Sequence, residues 1–165
     1  MGVGCSKRFD PDELASTGHA DSEFMISRPE RILILGDSRI KTATALYLKA
    51  CDGIDANGVE IIVGTSDLSA PKNAKLIKAE VKLLVCDLKD KNGIVEVVKS
   101  ASADVVFLVT PANKDRTSQS LAVLTACRRG GCGHLVILST TLLDRPKGGC
   151  IFADQCRPIE TYLKV

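Results

Sequence analysis

The sequence predicts an α/β fold, a doubly wound parallel sheet of about five strands in the order 3-2-1-4-5 with helices on both faces. Three observations predict it. Short apolar runs of strand length recur along the chain, segments of helical spacing separate them, and the first run ends in a glycine, Gly36. Strands that alternate with helices need crossover connections, which are right-handed and produce parallel pairing. In sheets of this order a ligand lies beyond the carboxyl ends of strands one and four, where the winding reverses.

The elements follow in order. Residues 31–35, Arg-Ile-Leu-Ile-Leu, are almost continuously apolar before Gly36, as a strand buried on both faces requires. Residues 40–51 carry Ala43, Leu46, Tyr47 and Ala50 at helical spacing, which predicts a helix with those side chains inward. Asp52-Gly53 and Asn57-Gly58 then break the chain. Residues 60–63 form strand two and residues 81–86 strand three, with a helical turn over 72–79 after Pro71. Asp87-Leu88-Lys89-Asp90 opens a helix over 91–100, since carboxylates favour the positive helix start. Strand four is 105–109. A helix over 117–129 turns Leu121, Leu124 and Ala126 inward and stops at Gly130-Gly131. Strand five is 135–138. Pro158 in a first turn predicts a last helix over 158–165.

A chain of 165 residues suits one domain, here residues 30–165, preceded by a tail over 1–29. A formal net charge of +2 with interspersed signs leaves no basic stripe, and tryptophan is absent, so a nucleic-acid partner is not expected. The seven cysteines are odd in number and irregularly spaced, with no signal peptide before them, which predicts reduced thiols in a cytoplasmic protein. No C-x-x-C pair occurs and His19 and His134 lie far apart, so no metal site is expected. No apolar run reaches the roughly 20 residues of a membrane-spanning helix.

The first residues, Met-Gly-Val-Gly-Cys-Ser-Lys, match a lipidation signal. Removal of Met1 exposes the Gly2 amine to myristoylation, and Ser6 stands where that motif asks for a hydroxyl. A single myristoyl chain anchors only marginally, so a second acyl chain on Cys5 would make the anchor stable. Lys7 and Arg8 add attraction to anionic lipid at the cytoplasmic face of a membrane. An ordinary polar start that matches the motif by chance is the alternative. Residues 9–28 are polar with little periodicity and read as a tether.

Several local motifs, in this order, resemble the NmrA-like branch of the short-chain dehydrogenase/reductase superfamily. They are Ile32-Leu-Ile-Leu-Gly36, Val81 through the Cys-Asp-Leu-Lys-Asp string to Asp90, Val106-Phe-Leu-Val-Thr-Pro111, and the strand ending in Ser139-Thr140. The tail from Ile151 to Leu163, with its Ile-Glu-Thr-Tyr-Leu ending, is similar to the family's corresponding segment. The resemblance implies a three-layer Rossmann-like fold and a dinucleotide cofactor, NADP or NAD. By the same likeness the phosphates fall to the loop holding Gly36, Ser38, Arg39 and Lys41, and the ribose to Thr65. Asp87 and Leu88 match the position lining the adenine, and Thr110 and Pro111 the floor beneath the nicotinamide ribose. A helix cap and a turn former are the plainer readings of those two pairs.

The departures from the family bear on function. Its first loop reads G-x-x-G-x-x-G, with glycines for a tight turn, close approach to the pyrophosphate and helix packing. Here only Gly36 remains, Arg39 and Thr42 replacing the others. Strand two ends in Gly64-Thr65-Ser66, with neither the acid of NAD-type nor the arginine of NADP-type relatives. Neither Tyr47 nor Tyr162 begins the superfamily's Tyr-x-x-x-Lys, and the lysine of reductase-type relatives is replaced by Gln155 or Cys156. A reactive Cys156 beside Arg157 is one further reading. Family members also continue past the position of Val165 with the half that largely builds their substrate pocket, and a truncated product, a splice form or a fragmentary gene model is one reading of that difference.

Three readings follow: a non-catalytic dinucleotide-binding or sensor domain that acts through a protein partner, an NADPH-dependent reductase of atypical chemistry with Arg39 and Lys41 on the 2′-phosphate, and a scaffold without nucleotide.

Overall fold

A computed structural model describes residues 29–36, 39–51, 58–140, 143 and 146–163. The expected lipidation sites Gly2 and Cys5, the tether, and Ser38 of the first loop lie outside the described residues.

The architecture matches the expectation. Strand β1 (Arg31–Leu35) leads into helix α1 (Arg39–Ala50), and β2 (Glu60–Thr65) follows. A 3-10 turn (Pro71–Asn73) and α2 (Ala74–Lys78) lead to β3 (Lys82–Val85), then α3 (Lys91–Ala101). The chain continues through β4 (Val105–Val109), α4 (Arg116–Gly130), β5 (His134–Leu138) and α5 (Ile151–Leu163). The sheet has five strands in the order β3-β2-β1-β4-β5. Every pairing is parallel, with Leu33 beside both Ile62 and Val106, Val63 beside Leu83, and Val106 beside Leu135.

The central strand explains why. Leu33, Ile34 and Leu35 are all at most 1% exposed, although alternate side chains point to opposite faces. Both faces must therefore be covered. On one face Leu33, Leu35, Val106 and Leu108 pack against Ile94 and Val98 of α3, Leu124 of α4 and Ile159 of α5. On the other, Ile34, Ile61 and Val63 meet Ala45 of α1 and Leu76 of α2. Each such buried aliphatic side chain contributes about 1.5–3 kcal/mol relative to exposure. Asp90 caps α3, its carboxylate accepting from the Asn92 amide at 3.1 Å.

Three expectations are corrected. The inward face of α1 is Lys41 and Ala45, whereas Tyr47 is 71% exposed and Ala43 and Ala50 also face solvent. A lysine head that finds a carbonyl partner can bury its aliphatic stem, and this rotates the helix away from the simplest apolar face. The last helix begins at Ile151, not at Pro158, which sits inside it. Ala153, Cys156 and Ile159 are buried along one stripe, and their packing outweighs the lost Pro158 hydrogen bond. Finally, the sheet is not covered throughout. Val136 and Leu138 of β5 remain 46% and 38% exposed, since α4 and α5 pack on the opposite face.

Among the described residues no helix is long and apolar enough to cross a membrane, and no cluster of His, Cys, Asp or Glu could hold a metal ion.

Candidate functional site

The carboxyl ends of β1, β2 and β3 enclose a cleft of about 240 Å³. Two glycines make its floor. Gly36 closes β1 with φ +124°, and a Cβ there would stand 2.3 Å from the Val109 carbonyl oxygen. Within β2, a Cβ on Gly64 would stand 2.5 Å from Leu35 Cδ2 and 3.1 Å from Cys86 Cβ. Neither position accepts a side chain without moving its neighbours, so three strands end close together and leave room above them.

The walls come from the loops. Lys41, 5% exposed on α1, reaches across the cleft and donates from Nζ to the Gly64 carbonyl at 2.7 Å. Beyond β2 the chain is held by its own hydrogen bonds. Thr65 Oγ1 donates to the Asp67 carbonyl at 3.1 Å, and Asn73 Nδ2 donates to the same carbonyl at 2.7 Å. The Ser69 hydroxyl and amide donate to the Asp67 carboxylate at 2.7 and 2.9 Å, which holds that carboxyl below its ordinary range. Ser66 and Lys72 line the cleft from this loop.

On the far side stand Asp87, Leu88 and Lys89, the turn after β3, with Asp87 accepting from the Lys89 amide at 2.9 Å. Asn113 and Gln119 close the end nearest β4, joined by a 3.1 Å hydrogen bond. Burial pushes the Cys86 thiol at the floor up to about 11, so it serves as packing.

The structure therefore brings Gly36, Lys41, Thr65, Asp87 and Leu88 into one cleft. It separates the others. Arg39 is exposed at the start of α1 and does not line the cleft. Thr110 donates to the Leu138 carbonyl at 3.1 Å, and the Pro111 carbonyl accepts from Arg116 Nε at 2.6 Å, so both residues hold β4 to its neighbours. Sequence reasoning missed Lys72, Lys89, Asn113 and Gln119. All four sit in turns or a helix start just after a strand, and that position was the only available signal.

The side of the sheet where β4 and β5 end is sealed by a clamp. Arg116, 4% exposed, donates from Nη1 to Gln155 Oε1 at 2.7 Å and lies 3.8 Å above the Phe152 ring. Thr117 adds a 2.8 Å hydrogen bond to the Gln155 carbonyl. Cys156 is 1% exposed with its thiol raised by burial, while Arg157 is engaged by Asp154 at 3.2 Å and the Leu143 carbonyl at 2.5 Å. The reading of Cys156 as a thiol activated by Arg157 is thus corrected.

No protein-family model matches the sequence, and no curated protein sequence matches it. Solved structures do. An NADPH-dependent quinone oxidoreductase from Escherichia coli, complexed with NADPH, aligns at 16% identity with a TM-score of 0.64, over 81% of this chain and 44% of its own. A triphenylmethane reductase from Citrobacter, complexed with NADP(H), aligns at 12% identity and a TM-score of 0.64, over 81% and 45%. A UDP-glucose-4-epimerase from Stenotrophomonas maltophila with bound NAD aligns at 14% and 0.61, over 83% and 48%. The chain spans less than half the length of each of these enzymes. At such identities the likeness is one of fold, and it agrees with the strand order and the cleft at the carboxyl ends. By fold, this chain is a Rossmann-type α/β domain of the kind found in dinucleotide-dependent reductases and epimerases.

Proposed function

We propose that residues 30–165 form an NmrA-like NAD(P)-binding sensor domain that does not itself carry out catalysis and that signals through a protein partner. The observation that carries this reading is the glycine-floored cleft at the carboxyl ends of β1, β2 and β3, on the β2–β3 side of the point where strand order reverses. Folds of this class take the adenosine half of a dinucleotide there. Leu88 supplies an apolar wall for adenine, and Thr65 and Ser66 face the ribose. NADP is favoured over NAD. No acid lines the end of β2, since the Asp67 carboxylate is occupied by Ser69, whereas Lys72 and Lys89 line the cleft.

Catalysis is disfavoured by three features. Thr110 is committed to the Leu138 carbonyl, Gln155 is held by Arg116, and Cys156 is buried. The cleft volume, about 240 Å³, suits part of a dinucleotide. A reductase that uses Arg39 for the 2′-phosphate loses support, because Arg39 does not line the cleft.

Isothermal titration of the full chain with NADP and NAD tests the reading. The expected result is binding at millimolar ligand or below, tighter for NADP, with Lys72→Ala reducing the preference. No heat from either ligand at millimolar concentration would overturn it. A nucleotide-free scaffold is the second reading, favoured by the Lys41 head lying across the cleft on the Gly64 carbonyl. A dinucleotide found by mass spectrometry in the purified protein would exclude the scaffold. Membrane tethering through Gly2 and Cys5 belongs to the same proposal. A myristate analogue should label the wild type and not Gly2→Ala, and equal labelling would refute the tether.

A further inference from the structure

Helix α4 stops on Gly131, whose φ of +73° is left-handed. The Gly131 amide donates to the Cys127 carbonyl, and so does the Cys132 amide at 3.1 Å. In this type of helix stop the residue after the left-handed glycine folds back on the last turn, and its side chain meets that of the residue whose carbonyl it bonds. Those partners are ordinarily hydrophobic. Here both are thiols, and both line one groove at the end of the helix. A bond from an amide back to the carbonyl five residues earlier also brings two α-carbons into the range that a disulfide spans, about 4.4–6.8 Å.

We propose that Cys127 and Cys132 are a reversible dithiol–disulfide site, oxidised by a small-molecule disulfide of the glutathione class.

The two cysteines have different roles. Cys132 is half-buried and Cys127 is 4% exposed, and both line a groove of about 210 Å³ with Leu135 and Tyr162. Cys132 therefore meets the oxidant first. The hydrogen bond from Cys127 draws the Cys132 thiol down to about 7, and the same bond with burial holds Cys127 up as the protonated partner. Burial pulls the Cys132 thiol the other way, while the backbone at His134 and Val106 lowers it further, and Cys132 Sγ stands 3.0 Å from the His134 carbonyl oxygen.

In the first step the Cys132 thiolate attacks one sulfur of the small disulfide, forms a mixed disulfide and expels one thiolate. That thiolate takes the Cys127 proton. The Cys127 sulfur then attacks the Cys132 sulfur and expels the second thiolate, which is protonated by water. Two protein thiols are oxidised by two electrons, and one small disulfide becomes two small thiols. The site lies by the Asp104 and His134 carbonyls, at the amino ends of β4 and β5, opposite the cleft. It is independent of nucleotide binding.

The test places the full chain in glutathione buffers of increasing oxidised fraction, quenches with acid, alkylates the remaining thiols and digests with trypsin. Trypsin cuts after Arg128 and Arg129, between the two cysteines, so the disulfide appears as two linked peptides. The expected result is Cys127–Cys132 linkage before any other cysteine is lost to alkylation, reversed by added reductant. Cys127→Ser should stop at glutathionylated Cys132, and Cys132→Ser should leave Cys127 alkylatable only after unfolding. Absence of the linked peptides from native wild type in fully oxidised buffer would overturn the proposal without recourse to a variant. So would linkage that forms only in urea.

Discussion

Gly36→Ala should be among the most damaging single-methyl changes in this chain. At φ +124° an L side chain is strained by about 1–3 kcal/mol. The added methyl would also stand 2.3 Å from the Val109 carbonyl oxygen, a backbone atom that cannot swing aside. Ordinary contact lies near 3.4 Å or beyond, so β1 and β4 must separate by about 1 Å where they pair, at a cost of roughly 1–3 kcal/mol. Restricting the unfolded chain returns about 0.4–1 kcal/mol. The net loss is about 1–5.5 kcal/mol, a shift in Tm of roughly 2–22 °C for a domain of this size. Gly58→Ala is the internal control. Its φ is +70° and nothing lies within 4 Å of the added methyl, so only the backbone term acts, about 1 kcal/mol. Urea denaturation of both variants, followed by circular dichroism, gives as the difference the contact with Val109 together with the harsher φ at Gly36. If the two variants lost equal stability, the close approach of β1 and β4 beneath the cleft would be wrong.

Three further outcomes are expected. Arg116→Lys keeps the charge but not the fork that spans the Pro111 carbonyl and Gln155 at 2.6 and 2.7 Å, nor the stacking on Phe152. It should cost about 2–4 kcal/mol in denaturant melts, and a cost within 0.5 kcal/mol of zero would mean that the clamp is idle. Asp104 accepts from the Arg31 and Glu30 amides, and these hold its carboxyl below the ordinary range. A depressed folded pKa contributes stability above the unfolded value near 3.9, lost as pH falls through the folded pKa, so Asp104→Asn should flatten the acid limb of the stability profile. Parallel limbs in the two proteins would contradict this. Cys86, with a pKa near 11, has roughly one thiol in a thousand ionised at pH 8 and should resist iodoacetamide until the chain is unfolded. Rapid native labelling of Cys86 would place it at an opening.

The topology was legible because burial on both faces leaves a simple signature. The run Ile-Leu-Ile-Leu before Gly36 admits little but a central parallel strand, and the alternation of later runs with helical segments sets the order. Helix faces were harder. The family likeness assigns Lys41 to the phosphates, and its buried amine, satisfied by the Gly64 carbonyl, cannot be foreseen from spacing. The start of α5 differs for a related reason, since Pro158 is a sound local signal for a helix's first turn that tertiary packing overrides. Of the candidate ligands, those on strand ends converged, as they must in a parallel sheet. Thr110 and Pro111 also follow a strand, but the Leu138 carbonyl engages the first and Arg116 the second, and nothing local in the sequence announces the partner of Arg116 39 residues away at Gln155.

The same features bear on affinity if a dinucleotide is the ligand. A phosphate loop of the usual glycine pattern brings backbone amides close to the pyrophosphate, each such bond to an anion contributing about 1.5–3 kcal/mol. This chain retains one glycine of three, and Arg39 replaces the one that allows the close approach, Thr42 the one for packing. One lost contact costs about 1.5–3 kcal/mol, or roughly one to two powers of ten in Kd. The positive start of α1 and the lysines of the cleft offset only part of this. From a site of about 1 μM the expected Kd is therefore roughly 10–100 μM. A domain so built would fill and empty with the free cofactor rather than retain it through purification, as a sensor must. A measured Kd below about 1 μM would show that the remaining glycine and the lysines suffice, and the argument from the degraded loop would fail.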